Sequence, residues 1–301
     1  MADSLATNFA NRFNEQFDML AQSMLPKLEP AVISDTEGGE KAFRDQIGEM
    51  DGEEVADLNA DTPIQAENSN RRAITTTPWV WNRLVRRWEV TRLMKDPQNA
   101  YVRAAVAARN RHVNKKIAAA AIATAKGGKD GSDEFPFDTD NQSTGNSGST
   151  GLTLAKIRKA HQILGNNAVL DVEMGDLYFT ATYTQQADLL ATTEATSSDF
   201  NSVKALVNGE IDTFMGFRWI WLQDELIAQD GNDRQCFAHA KSGLTLRKPE
   251  DMFRRITERP DKNYNMQVYM SGDYGAARLE EKKVVLVPWP VCLPAGPSSG
   301  A

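Results

Sequence analysis

The stretch DPQNAYVRAAVAARNRHVNKKIAAAAIATAKGG, from Asp96 to Gly128, decides how the chain is organised. Asp96 followed by Pro97 is the pattern of a helix N-cap with proline at the first helical position. Alanine-rich sequence of high helix propensity then runs to Ala125, and Gly127-Gly128 supplies the stop signal. The spacing predicts one helix over 97–125, about 40 Å long at a rise of ~1.5 Å per residue. Val102, Val106, Val113 and Ile117 fall on one face, while Arg103, Arg111 and Lys115 fall on another. Such a rod has one buried and one wet face, so it is expected to lie on a sheet or on the surface of a shell.

Outward from this helix, KAFRDQIG (Lys41–Gly48) and RAITTTPWVW (Arg72–Trp81) read as two strands of a long hairpin. The polar stretch between them has too few apolar residues for a core of its own, so the hairpin must lie on something else or stand in solvent. On the N-terminal side, Phe13, Phe17, Leu20 and Met24 are at helical spacing within Phe9–Leu28, and Pro26 and Pro30 end the pattern. On the C-terminal side, 127–151 is rich in Gly, Ser, Thr, Asn and Asp and reads as a long loop. A second helix carries Leu154, Ile157 and Leu164 on one face and ends at Gly165-Asn166-Asn167; LYFTAT (Leu177–Thr182) is a strand.

In VNGEIDTFMGFRWIWLQDEL (Val207–Leu226), Asn208-Gly209 can turn the chain, and the residues after it predict a single aromatic-rich strand. Phe217, Trp219 and Trp221 share one face of it, Arg218 and Ile220 the other, as a core strand requires. MQVYM (Met266–Met270) and VVLV (Val284–Val287) are further strands, and the Pro/Gly/Ser-rich tail is expected to be flexible.

At 301 residues, with 41% hydrophobic and 25% charged residues, the chain can bury about three-quarters of its unfolded surface in one or two domains. A net charge of -7 argues against tight sequence-independent nucleic-acid binding, which needs a basic surface. No apolar run approaches the roughly 20 residues of a membrane span, so no membrane partner is expected. The opening residues lack a basic leader with an apolar core, and Cys236 and Cys292 are too few for a disulfide framework; both point to a reducing cytoplasm. Charge is unevenly placed. The segment from Glu29 to Asp61 is acidic and that from Arg71 to Lys129 is basic, either as solvated faces or as halves that meet across neighbouring copies.

Reactive chemistry is sparse. His112 and His161 sit on the two helices and His239 in a strand-like stretch, none with a second histidine at metal-ligand spacing. GPSSG (Gly296–Gly300) matches a nucleophile elbow only formally, because no helix can follow it. KGGKDGS follows a helix instead of preceding one, which points the helix dipole away from any phosphate. DEFPFDTDN lacks the alternating ligands and glycine of a calcium loop. No catalytic residue, cofactor or metal is expected, although a soluble α/β enzyme with an unrecognised site stands as the alternative class.

Five patterns in order, NRFNEQFDMLAQSMLPKLEPAV, GEKAFRDQIGEMD, DPQNAYVRAAVAARNRHVN, VNGEIDTFMGFRWI and ERPDKNYNMQVYMSGDYGAARLEEKKVV, resemble the major capsid protein of tailed phages. That fold is shared with the herpesvirus capsid floor and with encapsulins. The resemblance covers Phe9 to Pro288 and implies an α+β capsid fold. It implies an N-terminal arm (1–34), an extended β-hairpin loop (35–77) and a peripheral domain (78–151 and 241–288) with a spine helix at 97–125. An axial domain (152–240) and a flexible tail (289–301) complete the division. The implied function is self-assembly, as pentamers and hexamers, into an icosahedral shell in the virion around packaged double-stranded DNA touched non-specifically at the inner surface. An encapsulin-like compartment is the alternative within the fold. Assembly would occur in the host cytoplasm with portal and decoration proteins, and a separate scaffolding protein is expected because the N-terminus has no room for a scaffold-like leader. Some relatives cross-link a loop lysine to a neighbour; here the loop offers only Lys41 near its base, so that bond is not expected. On the resemblance and the charge asymmetry together, Glu53, Glu54 and Asp57 are expected to approach Arg71, Arg72, Arg103, Arg111 and Lys115 of the next subunit.

Overall fold

A computed structural model describes residues 22–39, 41–48, 50, 52, 69–86, 98–143, 153–191, 212–230 and 233–290. The expected long helix is α1 (Gln98–Ile122). Its residues Val113, Ile117, Ala118 and Ala121 are buried, and small alanines let it approach its neighbours closely. Val102 and Val106 are only half-buried; Arg103 and Lys115 are exposed. The helix ends before the expected Ala125. Arg278 donates to the carbonyls of Ala121 and Ala123 at 3.0 and 2.9 Å, occupying acceptors that a further turn would need.

Three sheets surround the helix. The first, in the order β1 (Ile33–Asp35), β12 (Leu244–Arg259), β13 (Asn265–Arg278), β4 (Thr77–Val85), places α1 against β13. The second contains six strands: β10 (Gln229–Asp230), β11 (Asp233–Ala240), β7 (Leu177–Thr182), β9 (Phe217–Leu222) and β8 (Thr213–Phe214) in sequence, with β14 (Val284–Pro290) on the other side of β11. The third joins β2 (Lys41–Ile47), β3 (Ser69–Thr75), β5 (Ala125–Gly127) and β6 (Asp133–Phe135). Helices α2 (Leu154–Asn166), α3 (Val169–Glu173) and α4 (Tyr183–Ala191) precede and follow β7.

The core lies where α1, α2 and the six-stranded sheet meet. It contains Leu28, Ile117, Ile157, Phe179, Phe217 and Phe237, all at most 1% exposed. Each such side chain contributes about 1.5–3 kcal/mol relative to exposure. Alternation along β9 is as expected: Phe217 and Trp219 are buried, Arg218 is exposed, and Trp219 stacks between Phe179 and Trp221. On α2, Leu154, Ile157 and Leu164 face the core.

Several sequence expectations need correction. The aromatic run is a hairpin rather than one strand: Met215 and Gly216 have φ of 53° and 81°, the two positive values of a type I′ turn between β8 and β9. RAITTTPWVW is two strands that belong to different sheets, because the chain crosses over at Thr76, whose hydroxyl donates to Asp273 at 2.6 Å. Residues 125–135 are not loop throughout but form the β5–β6 pair. Gly127 is there for close approach, since a Cβ would lie 2.1 Å from the Arg71 carbonyl oxygen. Strand β14 reaches Pro290, two residues into the expected tail. The helical pattern expected over Phe9–Leu28 is not helix in its described part, 22–28, while the residues before 22, Asn208-Gly209 and the hairpin tip lie outside the described residues.

Candidate assembly surfaces

The N-terminal segment is laced along α1 by side chains one helical turn apart. Asn110 donates to the Met24 carbonyl at 2.6 Å, and Asn114 donates to the Leu25 carbonyl while accepting from the Leu28 amide, both at 3.1 Å. Arg111 donates to the Gln22 side chain at 2.8 Å. Lys27 donates to the Tyr183 hydroxyl and the Trp221 carbonyl, linking the same segment to the six-stranded sheet. Glu29 then accepts from Arg109 at 2.8 Å and from Lys248 at 2.5 Å, and Arg109 also holds Asp251. Burial would raise the Glu29 carboxyl, but the hydrogen bonds from Arg109 and Lys248 hold it below its usual value. Further on, the buried ring of His239 bonds the Ala31 carbonyl at 3.2 Å, and burial pushes its pKa down to about 4.

The hairpin β2–β3 is held by two buried arginines, Arg72 and Arg247, and a third, Arg278, ties the adjacent β6 to the end of α1. Arg72 donates to the Leu279 carbonyl, ion-pairs with Glu281 at 2.7 Å and covers the Phe135 ring at 3.6 Å. Arg247 donates to the carbonyls of Ile74, Glu37 and Gly39, and Arg278 to those of Ala121, Ala123 and Phe135. Ile47, near the outer end of the described ladder, is 71% exposed, while Phe43, paired with Ala73 nearer the base, is 39% exposed and partly covered by the Arg71 guanidinium 5.5 Å from its ring.

The expected contact residues are scattered by this arrangement. Arg72 is 3% exposed and committed inside the subunit, which corrects its assignment to a surface. Arg111 is half-buried under the N-terminal segment, and Arg71 pairs with Asp45 of its own hairpin at 2.5 Å. Arg103 and Lys115 are exposed on α1. Glu53, Glu54 and Asp57 lie outside the described residues. Sequence reasoning missed the Arg109, Arg247 and Arg278 clusters; the only advance signal was basic residues within otherwise strand- or helix-forming runs.

The nearest approach to catalytic geometry is Ser242, whose hydroxyl donates to Glu173 and accepts from Lys283 at 2.8 Å. Burial would lower the Lys283 ammonium, but Glu280 and Glu173 outweigh it and keep it above its usual value. A lysine held protonated cannot take the serine proton, so the trio is an ionic tie between α3 and the start of β14. Burial also pushes the Cys236 thiol up to about 12, far from a reactive thiolate. His112 stacks on Trp79 and meets Tyr274 edge-on, the three rings forming one cluster, and His161 lies against the Phe217 ring. Among the described residues, no group of three or more His, Cys, Asp or Glu could hold a metal, and no helix is long and apolar enough to cross a membrane.

The sequence matches the model of a family described as phage capsid protein over residues 5–289. No curated protein sequence matches it. Solved structures resemble the fold over nearly its whole length. The capsid of the cyanophage P-SCSP1u has a TM-score of 0.67 at 15% identity, covering 95% of this chain and 94% of that one. Mycobacterium phage Che8 gives 0.66 at 13%, over 92% and 96%. The capsid of the native GTA particle gives 0.67 at 11%, over 97% and 100%.

Proposed function

The chain belongs to the phage capsid protein family, and we propose that copies of it, as pentamers and hexamers, build an icosahedral shell around packaged double-stranded DNA. That it is a structural protein of the virion capsid follows from the family and the fold. The observation that carries the finer reading is the fold likeness to capsid subunits over almost the full length of both chains. The hairpin is consistent with it: it is anchored by directional bonds from Arg72 and Arg247, while Ile47 near its outer end is 71% exposed. We assign 1–34 to an arm, 35–77 to the extended loop, 78–151 with 241–288 to a peripheral domain, 152–240 to an axial domain and 289–301 to a tail. Strand β14, from the last peripheral segment, completes the six-stranded sheet and ties the two domains together.

Of the cations expected at the contact, Arg103 and Lys115 are the ones left open to the acidic Glu53, Glu54 and Asp57 of a neighbour, with Arg71 shared with Asp45. The protein is proposed to have no catalytic turnover. Assembly takes place in the host cytoplasm with separate scaffolding, portal and decoration proteins, and the inner surface meets DNA without sequence preference. Negative-stain imaging of the purified chain tests this. Shells or capsomers are expected; featureless monomers at every concentration and salt would overturn it.

A further inference from the structure

We propose that the outer edge of β12 between Phe253 and Arg259 pairs antiparallel with the same edge of a second copy, about a two-fold axis at Ile256. Strand β12 is 16 residues long, but β1 covers only Thr245, Leu246 and Arg247 on its outer side. Register shifts against β13 fall between Arg247 and Phe253, and Pro249 lies among them. From Phe253↔Ser271 to Arg259↔Asn265 the ladder is then regular, and Pro260 closes the run. Among the described residues no strand lies beside this outer edge. It carries a row of unpaired backbone donors and acceptors, with no proline, lysine or bulge to blunt it. The opposite edge of the same sheet, β4, has Pro78 near its start.

The side chains say which partner fits. Antiparallel pairing centred on Ile256 sets Ile256 against Ile256 of the partner subunit. It sets Arg254 against Glu258 of the partner subunit, and by symmetry this ion pair forms twice. Arg255 then faces Thr257 of the partner subunit on the other side of the sheet. The two-fold axis stands perpendicular to the sheet, so each face stays continuous and the two copies share six strands of β4, β13 and β12. Arg254, Glu258 and Ile256 are exposed, Ile256 at 42%, and neither Arg254 nor Glu258 has an ion pair among the described residues. An edge that complements itself in charge and centres on an apolar residue points to a second copy of this chain as its occupant.

The inference rests on the shell reading only in supposing that copies meet. Residues opposite each other on antiparallel strands have Cα atoms about 4.5–5.5 Å apart, within disulfide reach. In a Cys292→Ser background, Ile256→Cys should therefore oxidise to a disulfide-linked dimer, while exposed Val80→Cys should not. Glu258→Arg and Arg254→Glu should each weaken association about tenfold, by turning two attractive pairs repulsive. Mixing the two single variants in equal amounts should restore it, as should the double swap R254E/E258R. Absence of the Ile256→Cys dimer, or assembly of Glu258→Arg at the parent's yield, would overturn the proposal, and particles forming normally in either case would leave the shell reading standing. If the parent chain forms no particles, the shell reading falls, yet cross-linked Ile256→Cys dimers would still uphold the edge.

Discussion

Replacing Arg109 with methionine should loosen the joint between the N-terminal segment, α1 and the β12–β13 sheet. Arg109 is 6% exposed and holds Glu29 at 2.8 Å, Asp251, and the Tyr274 hydroxyl at 3.3 Å. Removing one member of a buried ion pair costs about 3–5 kcal/mol, because the other charge is left without its partner. Here Lys248 stays on Glu29 at 2.5 Å and offsets part of that loss. The Asp251 side chain is 50% exposed, so its share is screened to about 0–1 kcal/mol. Methionine keeps apolar contact with the Tyr274 ring, so little cavity opens. The expected cost is about 2–3 kcal/mol, or a fall in Tm of about 3–5 °C for a chain of this length. Thermal and denaturant unfolding of the purified chain measure it, and a double-mutant cycle with Glu29→Gln isolates the pair. The cycle should show coupling of about 1.5–3 kcal/mol. Since Glu29 titrates below its usual 4.5 in the folded chain, its contribution is present above that pH and is lost as pH falls through the folded value. Arg109→Met should accordingly flatten the acid limb of the stability curve. Additivity within about 0.5 kcal/mol would refute the argument.

Two further outcomes follow from single residues. Gly216→Ala should cost about 1–2 kcal/mol in unfolding measurements, because φ is 81° there and a Cβ would come within 3.1 Å of His161 Nε2. His239, neutral in the fold with a pKa of about 4 against 6.5 when free, gives stability that is present above pH 6.5 and declines as pH falls toward 4, at up to ~1.4 kcal/mol per pH unit; the difference in unfolding free energy between pH 7 and pH 5 should shrink in His239→Phe, and an unchanged difference would refute the assignment.

How much was legible in the sequence depended on the range of the interaction. The helix α1 and the face pattern of β9 are set by neighbours within a few residues, and both are visible in the one-dimensional pattern. The break at Thr76 is not, because three consecutive threonines favour a strand throughout and only the two separate ladders reveal the crossing. The Met215-Gly216 turn was hidden by the aromatics on both sides, although Gly216 was its one signal. For the candidate surfaces, the basic segment was visible but its partners were not. Arg72 meets Glu281 and Arg109 meets Asp251, contacts that only the fold creates.

Those long-range contacts change what the charge asymmetry means. Arg72, Arg109, Arg247 and Arg278 are turned into the subunit and Arg111 lies half-buried, and several of them reach places where the chain leaves regular structure. Backbone carbonyls lose their ladder partners at such places, and an arginine fork can serve several of them at once, as Arg247 and Arg278 do. Apolar contacts could hold these joints together, but they are non-directional and would leave the hairpin free to swing about its base. Hydrogen bonds from a planar guanidinium fix angle as well as distance. If the hairpin is to reach a neighbouring subunit in a repeated shell, a small angular error at its base becomes a large displacement at its tip. Buried Arg72 and Arg247 along the hairpin, with apolar Ile47 exposed beyond them, would suit such a reach. Of the cations expected to meet a neighbour's acidic loop, Arg72 and Arg111 are thereby committed within the subunit, while Arg103 and Lys115 stay exposed on α1.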